Sequence, residues 1–224
     1  MISVIIVSDS SKPEFRQLTC GAIASAQTCD NVVKQIIVVE TSGELYHYDG
    51  AESILMDGAF NYNKCLNIGY SIAKYDYLAF CNNDLVFYEN CFSEIIKAFE
   101  AHPLLASQGA ALPDNYHFKT YRIDPKKTWI VYGYEHVKHL SGWAIFTKRE
   151  TINKIGLFDE RFKFYYADNE YLRRLSNKNL KNALNTRAII AHIGHATAST
   201  LPAHVQHDYT IGQAQIFNTI HGRK

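Results

Sequence analysis

The sequence predicts an α/β fold, a mostly parallel central sheet flanked by helices in three α/β/α layers. Three observations predict it. Apolar runs at residues 3–8, 35–39 and 77–81 are nearly continuous, as in parallel strands covered on both faces. The first two flank a helical pattern (Phe15, Leu18, Ala22, Ala26), which makes the opening unit a right-handed strand–helix–strand crossover. Each run also stops abruptly in polar residues: Ser8-Asp9-Ser10-Ser11, Glu40-Thr41-Ser42-Gly43 and Asn82-Asn83-Asp84. The carboxyl edge of an open α/β sheet is where ligands bind.

The remaining elements follow in order. Ser11 to Glu14 fits a capping box that opens the first helix, with Pro13 in its first turn. Residues 53–56 suit a short third strand. Residues 60–73 suit a helix, in which Gly69 implies close packing or a ligand against the backbone. Leu85-Val86-Phe87 resumes the apolar pattern after Asp84, and residues 90–101 form a helix stopped by His102-Pro103. Residues 104–127 are rich in turn formers and read as a mobile stretch, a lid or acceptor loop. Strands are expected at 129–134 and 139–147. A second capping box at Thr147 to Glu150 opens a short helix ended by Gly156. A helix begins near residue 167, a last strand covers 187–191, and a helix over 208–221 closes the chain.

Bulk composition narrows the function. The 224 residues suit one large domain, taken here as 1–224, and 47% hydrophobic with 20% charged residues is ordinary for a globular protein. Lys plus Arg (23) nearly balances Asp plus Glu (22), so a nucleic-acid partner has no support from charge. The cysteines, Cys20, Cys29, Cys65, Cys81 and Cys91, are odd in number and lack C-x-x-C spacing, which predicts buried reduced thiols and a cytoplasmic location. No apolar run is long enough to span a bilayer, so any membrane association is expected to be peripheral. There is no G-x-G-x-x-G and no phosphate-binding P-loop. A bound nucleotide would therefore be held by side chains at strand ends, with Ser8 and Glu40 the first candidates. Asp84 suits a hard divalent cation, and Asn82 and Asn83 suit a ribose or phosphate.

Four segments together resemble the family 2 glycosyltransferases, inverting enzymes of the GT-A fold. They are M-I-S-V-I-I-V-S with Q-I-I-V-V-E-T-S, then F-N-Y-N-K-C-L-N-I-G-Y-S-I-A-K-Y-D-Y-L-A-F-C-N-N-D, then S-G-W-A-I-F-T-K-R-E-T-I-N-K-I-G-L-F-D-E-R-F-K-F-Y-Y-A-D-N-E-Y-L-R-R-L, and finally the histidine after the last strand. The resemblance implies transfer from a UDP- or dTDP-sugar to a hydroxyl of a saccharide, lipid-linked sugar or macromolecule. It divides the chain into a donor half (1–103), an acceptor half (104–200) and a C-terminal helix (201–224). By this resemblance Asp84 is the metal-binding acid of a D-x-D-type motif whose first acid is replaced by Asn82. Glu40 stands where the base is contacted, and Asn67, Asn83 and Trp143 fall in the donor region. His192 or His195 completes a Mn²⁺ or Mg²⁺ site, and Asp168 is the general base. Ala167 departs from the acid that usually precedes that base. Oxygen and imidazole ligands suit Mn²⁺ at least as well as Mg²⁺.

Each residue also has a plain structural reading. Asn82 to Asp84 fit an Asx turn, Asp168 a helix N-cap, Trp143 a core aromatic, Ser8 and Glu40 loop solvation or capping, and the histidines strand-end hydrogen bonding. The departures at Asn82 and Ala167 motivate an alternative function, a catalytically weakened nucleotide-sugar-binding module.

Overall fold

The computed structural model describes residues 1–113, 116–194 and 203–222. Its strands are β1 (Ile2–Ser8), β2 (Lys34–Glu40), β3 (Glu52–Leu55), β4 (Tyr77–Asn82), β5 (Leu85–Phe87), β6 (Leu105–Ala111), β7 (Ile130–Tyr132), β8 (Ala144–Lys148) and β9 (Lys181–His192). The helices are α1 (Pro13–Thr28), α2 (Tyr62–Ile72), α3 (Cys91–Ala101), α4 (Tyr116–Tyr121), α5 (Arg149–Ile155), α6 (Ala167–Asn177), α7 (Ala203–His207) and α8 (Gln213–His221), with a π-helical turn, Asp208–Gly212, between the last two.

One sheet has the order β3-β2-β1-β4-β8-β6-β9-β5, and β7 pairs with β9. Strands β1, β2, β3, β4, β6 and β9 run one way, and β5, β7 and β8 run the other. Alternation along β1 separates two cores. Ile2, Val4 and Ile6 pack with Ala22, Ile23 and Ala26 of α1 and with Phe92, Ile95 and Phe99 of α3. Ile5 and Val7 pack on the other face with Cys65 and Leu66 of α2 and with Tyr171, Leu172 and Leu175 of α6. Three layers result, as the sequence predicts. Gly69 packs α2 against this second face. A Cβ there would lie 2.2 Å from Ile5 Cγ2, so close packing explains the glycine.

Several local expectations are corrected. Neither capping box forms: Lys12 and Lys148 hold the cap positions without side-chain bonds, and Thr147 Oγ1 instead donates to Ala106 O at 3.0 Å. The stretch expected to be mobile begins with β6, a fully buried strand. Its sequence L-A-S-Q-G-A-A lacks β-branched residues, and at Gly109 space is short: a Cβ there would lie 2.6 Å from the His139 carbonyl oxygen. The last strand starts at Lys181 rather than at residue 187, since Asn182 and Asn185 disguise its first half. Asn185 is buried with every polar atom engaged, by Trp129 Nε1, the Arg187 and Ala188 N–H groups, Glu94 O and Gln108 Oε1. Cys20 is exposed on α1, against the expectation of burial, while the other four thiols are buried.

Candidate active site

The strand register carries the polar strand ends to one edge. Ser8 pairs with Glu40 and Val7 with Asn82, so the tails of β1, β2 and β4 emerge side by side. Strand β8 is antiparallel to β4, which brings its leading residues, Ser141-Gly142-Trp143, to the same edge. The Asn82 N–H donates to Trp143 O at 2.9 Å. Leu85 pairs with His192, and the Ile193 N–H donates to Asp84 O at 2.9 Å, fixing the two chain segments next to each other. A cleft of about 830 Å³ opens here, lined by residues that include Asp9, Asn82, Asp84, His136, Trp143, Asp168 and His192.

Asp84 and His192 lie together in this cleft. Asp84 is buried, and its Oδ1 lies 3.2 Å from His192 Nε2 but receives no hydrogen bond. A buried, unpartnered carboxylate oxygen is costly by itself. Facing an imidazole, it is the donor set that a divalent cation would satisfy, with the remaining positions left for substrate oxygens and water. Among the described residues no group of three or more His, Cys, Asp or Glu forms a ready cluster. His192 stacks on Trp143, ring centroids 5.6 Å apart and 18° between planes. His195 lies outside the described residues.

The same cleft holds Asp168, in the first turn of α6. Its Oδ2 accepts the Gly142 N–H (2.8 Å) and faces His136 Nε2 (2.7 Å), while its Oδ1 accepts the Asn169 N–H (2.9 Å). The cap position belongs to Tyr166, so Asp168 does not serve as N-cap. Burial pushes its carboxyl up, but His136 and the two N–H donors outweigh burial and hold it below the ordinary value. Gly142 leaves room for this approach, because a Cβ there would sit 3.0 Å from Asp168 Oδ2 and the carboxylate would have to give by a few tenths of an ångström. Nothing in the sequence singles out His136, since G-Y-E-H-V-K-H offers no distinguishing spacing.

The other candidates divide. Glu40 is fully buried and turned inward, accepting the Ser10 N–H (3.1 Å), the Ser42 hydroxyl (3.1 Å) and the Tyr48 hydroxyl (3.2 Å). Ser8 joins that network through Thr19 (2.8 Å) and Tyr48 (2.9 Å), and Asn83 Nδ2 donates to Thr19 Oγ1 at 3.1 Å. These three thus belong to one hydrogen-bonded network, and Ser8 and Asn83 also reach the cleft. Burial pushes the Tyr48 hydroxyl up to about 12, so it stays protonated as a donor to Glu40. Asn82 Oδ1 accepts the Tyr62 hydroxyl at 2.9 Å. Asn67 is not in the cleft: its amide clamps Phe158 through both backbone groups (2.9 Å each) and meets Glu160 Oε1 at 3.0 Å.

Residues 42–156, just over half of the chain, match the sequence profile described as Glycosyl transferase family 2. The chain belongs to glycosyltransferase family 2. Its fold agrees with a solved glycosyltransferase structure, "Crystal structure of GalNAc-T7 with UDP, GalNAc and Mn2+", at TM-score 0.68 and 12% identity, covering 90% of this chain. The alignment spans 45% of that longer chain, so the likeness concerns the GT-A fold. A search of curated proteins finds no match. Among the described residues no helix is long and apolar enough to cross a membrane.

Proposed function

We propose that the protein is an inverting, metal-dependent transferase that moves a sugar from a UDP- or dTDP-sugar to an acceptor hydroxyl, with Asp168 as general base. The observation that carries this reading is that one cleft holds both a buried Asp84 oxygen that accepts no hydrogen bond and lies beside His192, and an ionised Asp168. Asp84 and His192 would hold Mn²⁺ or Mg²⁺, which when bound supplies positive charge to the departing diphosphate. Among the described residues lining the cleft there is no Lys or Arg, so the cation is the natural source of that charge. Trp143 lines the same cleft, and a donor sugar would sit against its ring. Asp168 takes the acceptor proton as that oxygen attacks the anomeric carbon from the face opposite the diphosphate, which inverts the centre. One base suffices, unlike the paired carboxyl groups of glycosidases.

The GalNAc-T7 structure was solved with UDP, GalNAc and Mn²⁺, which agrees with this donor and metal class. Residues 1–103 would form the donor half, 104–200 the acceptor half and 201–224 a closing helix, with cytoplasmic or peripheral membrane placement. The acceptor is a hydroxyl of a saccharide, a lipid-linked sugar or a macromolecule.

Thermal unfolding with UDP and dTDP in Mn²⁺, Mg²⁺ or chelator tests the donor site. A ligand that binds only the folded state at 100 times its Kd stabilises by about 2.7 kcal/mol. The midpoint is expected to rise with one of these nucleotides only when metal is present, and Asp84→Ala is expected to abolish the rise. An equal rise in chelator would overturn the metal reading. Donor turnover that disappears in Asp168→Asn would exclude the alternative, a weakened binding module.

A further inference from the structure

The segment that carries His136 is held more firmly than a surface loop requires. His117 and His139, both buried, fasten it: His117 Nε2 lies 2.9 Å from Val137 O, and His139 Nδ1 accepts the Glu135 N–H at 3.1 Å. Val137, next to His136, has φ 67°, and Tyr166, just before Asp168, has φ 64°. A β-branched residue in the left-handed region is an outlier that surrounding structure must enforce, and such strain gathers at functional sites. Two strained backbones thus deliver the two halves of a 2.7 Å contact into the cleft.

The three donors on Asp168 leave one lone-pair position, on Oδ1, for an acceptor hydroxyl. We propose that His136 is the positioning partner of Asp168: its imidazole fixes the carboxylate and, through its own charge, decides whether Asp168 can take the acceptor proton. This rests on the reading of Asp168 as general base. In the productive state His136 is neutral and its Nε2–H donates to Oδ2. The acceptor proton passes to Oδ1 while the acceptor oxygen bonds to the anomeric carbon and the bond to the diphosphate oxygen breaks. Asp168 becomes a neutral acid and His136 is unchanged. An imidazolium in the same place would stabilise the carboxylate anion and oppose that transfer.

Contact with Asp168 outweighs burial and raises His136 above its ordinary value. Of the charged groups around it, Glu135 and Lys138 on its own segment pair with each other at 2.8 Å, and Asp9, Asp84 and His192 also line the cleft. Asp168 of α6 is the group in contact. Activity should therefore rise with pH through the histidine range.

The test uses the full chain with Mn²⁺ and UDP- or dTDP-sugar, following nucleoside diphosphate release from pH 5 to 9, beside NMR titration of the His136 ring. Asp168→Asn is expected to lose at least about 100-fold, the general-base contribution. His136→Gln keeps an N–H donor that does not titrate, and is expected to stay within about tenfold of the wild type at pH 8 while its acid limb moves below pH 6. The His136 ring is expected to titrate lower in Asp168→Asn than in the wild type. An unchanged pH profile in His136→Gln, a loss as deep as that of Asp168→Asn, or an unchanged ring titration would each overturn the proposal. Absence of turnover in the wild type would overturn the transferase reading, while the ring titration still decides whether the pair exists.

Discussion

Single side chains in this protein are legible where their chemistry is unusual and illegible where only an approach in space gives them meaning. Asp84 stands out because a carboxylate at the end of an apolar strand needs a reason, and the structure sets it beside His192. Glu40 stands out equally, yet it is satisfied internally by three donors. His136 carries no sequence signal because its partner lies on a distant part of the chain, at Asp168. Gly142 is similar: only the fold shows that Asp168 occupies the space beside it. Gly142→Ala is expected to push the carboxylate by a few tenths of an ångström and lower kcat by about 10- to 100-fold, because small misplacements of reacting groups are amplified in rate. Its denaturation midpoint should stay close to that of the wild type. A kinetic assay beside a urea melt separates the two effects.

Elements are legible when hydrophobic pattern and burial agree. Strands β1, β2 and β4 are apolar and buried, and their observed bounds lie within a residue or two of those the pattern predicts. Strand β6 escapes the pattern because it is built largely of Gly and Ala, which have low strand propensity, and at Gly109 crowding by residues 139–140 leaves no room for a side chain. The first half of β9 escapes it because its asparagines serve buried hydrogen bonds rather than solvent. The contact of α2 with β1 is the tightest test of packing at this scale. Gly69→Ala is expected to destabilise by about 1–3 kcal/mol by overpacking against Ile5, despite the better helix propensity of alanine. Combining it with Ile5→Ala should recover part of that loss, and a double-mutant cycle from chemical denaturation reads the coupling.

For the molecule as a whole, the His136–Asp168 contact ties residues 133–140 to α6, so its charge state should appear in global stability. His136 is raised in the folded state; its contribution is complete below its unfolded value and fades as pH rises through the folded one. Asp168 is lowered; its contribution is present above its unfolded value and fades as pH falls through the folded one. The ion pair therefore supports the fold most between about pH 4 and about pH 6.5, the ordinary values of the two groups. The difference in Tm between wild type and His136→Gln is expected to be largest in that window and to shrink on either side. A difference independent of pH would show that the pair does not titrate with folding.

The sequence by itself determined the layered α/β fold, the family and the strand ends at which a site forms. Those features depend on local hydrophobic continuity and on polar residues where burial is unfavourable, and both are written along the chain. Only the tertiary structure decided which polar residues face the cleft and which are absorbed below it. It turned Glu40 and Asn67 to internal partners, set Asp84 against His192, and joined His136 to Asp168. The physical reason is that hydrogen-bond satisfaction and carboxylate charge depend on distances between residues far apart in sequence, which strand register and crossover connections fix.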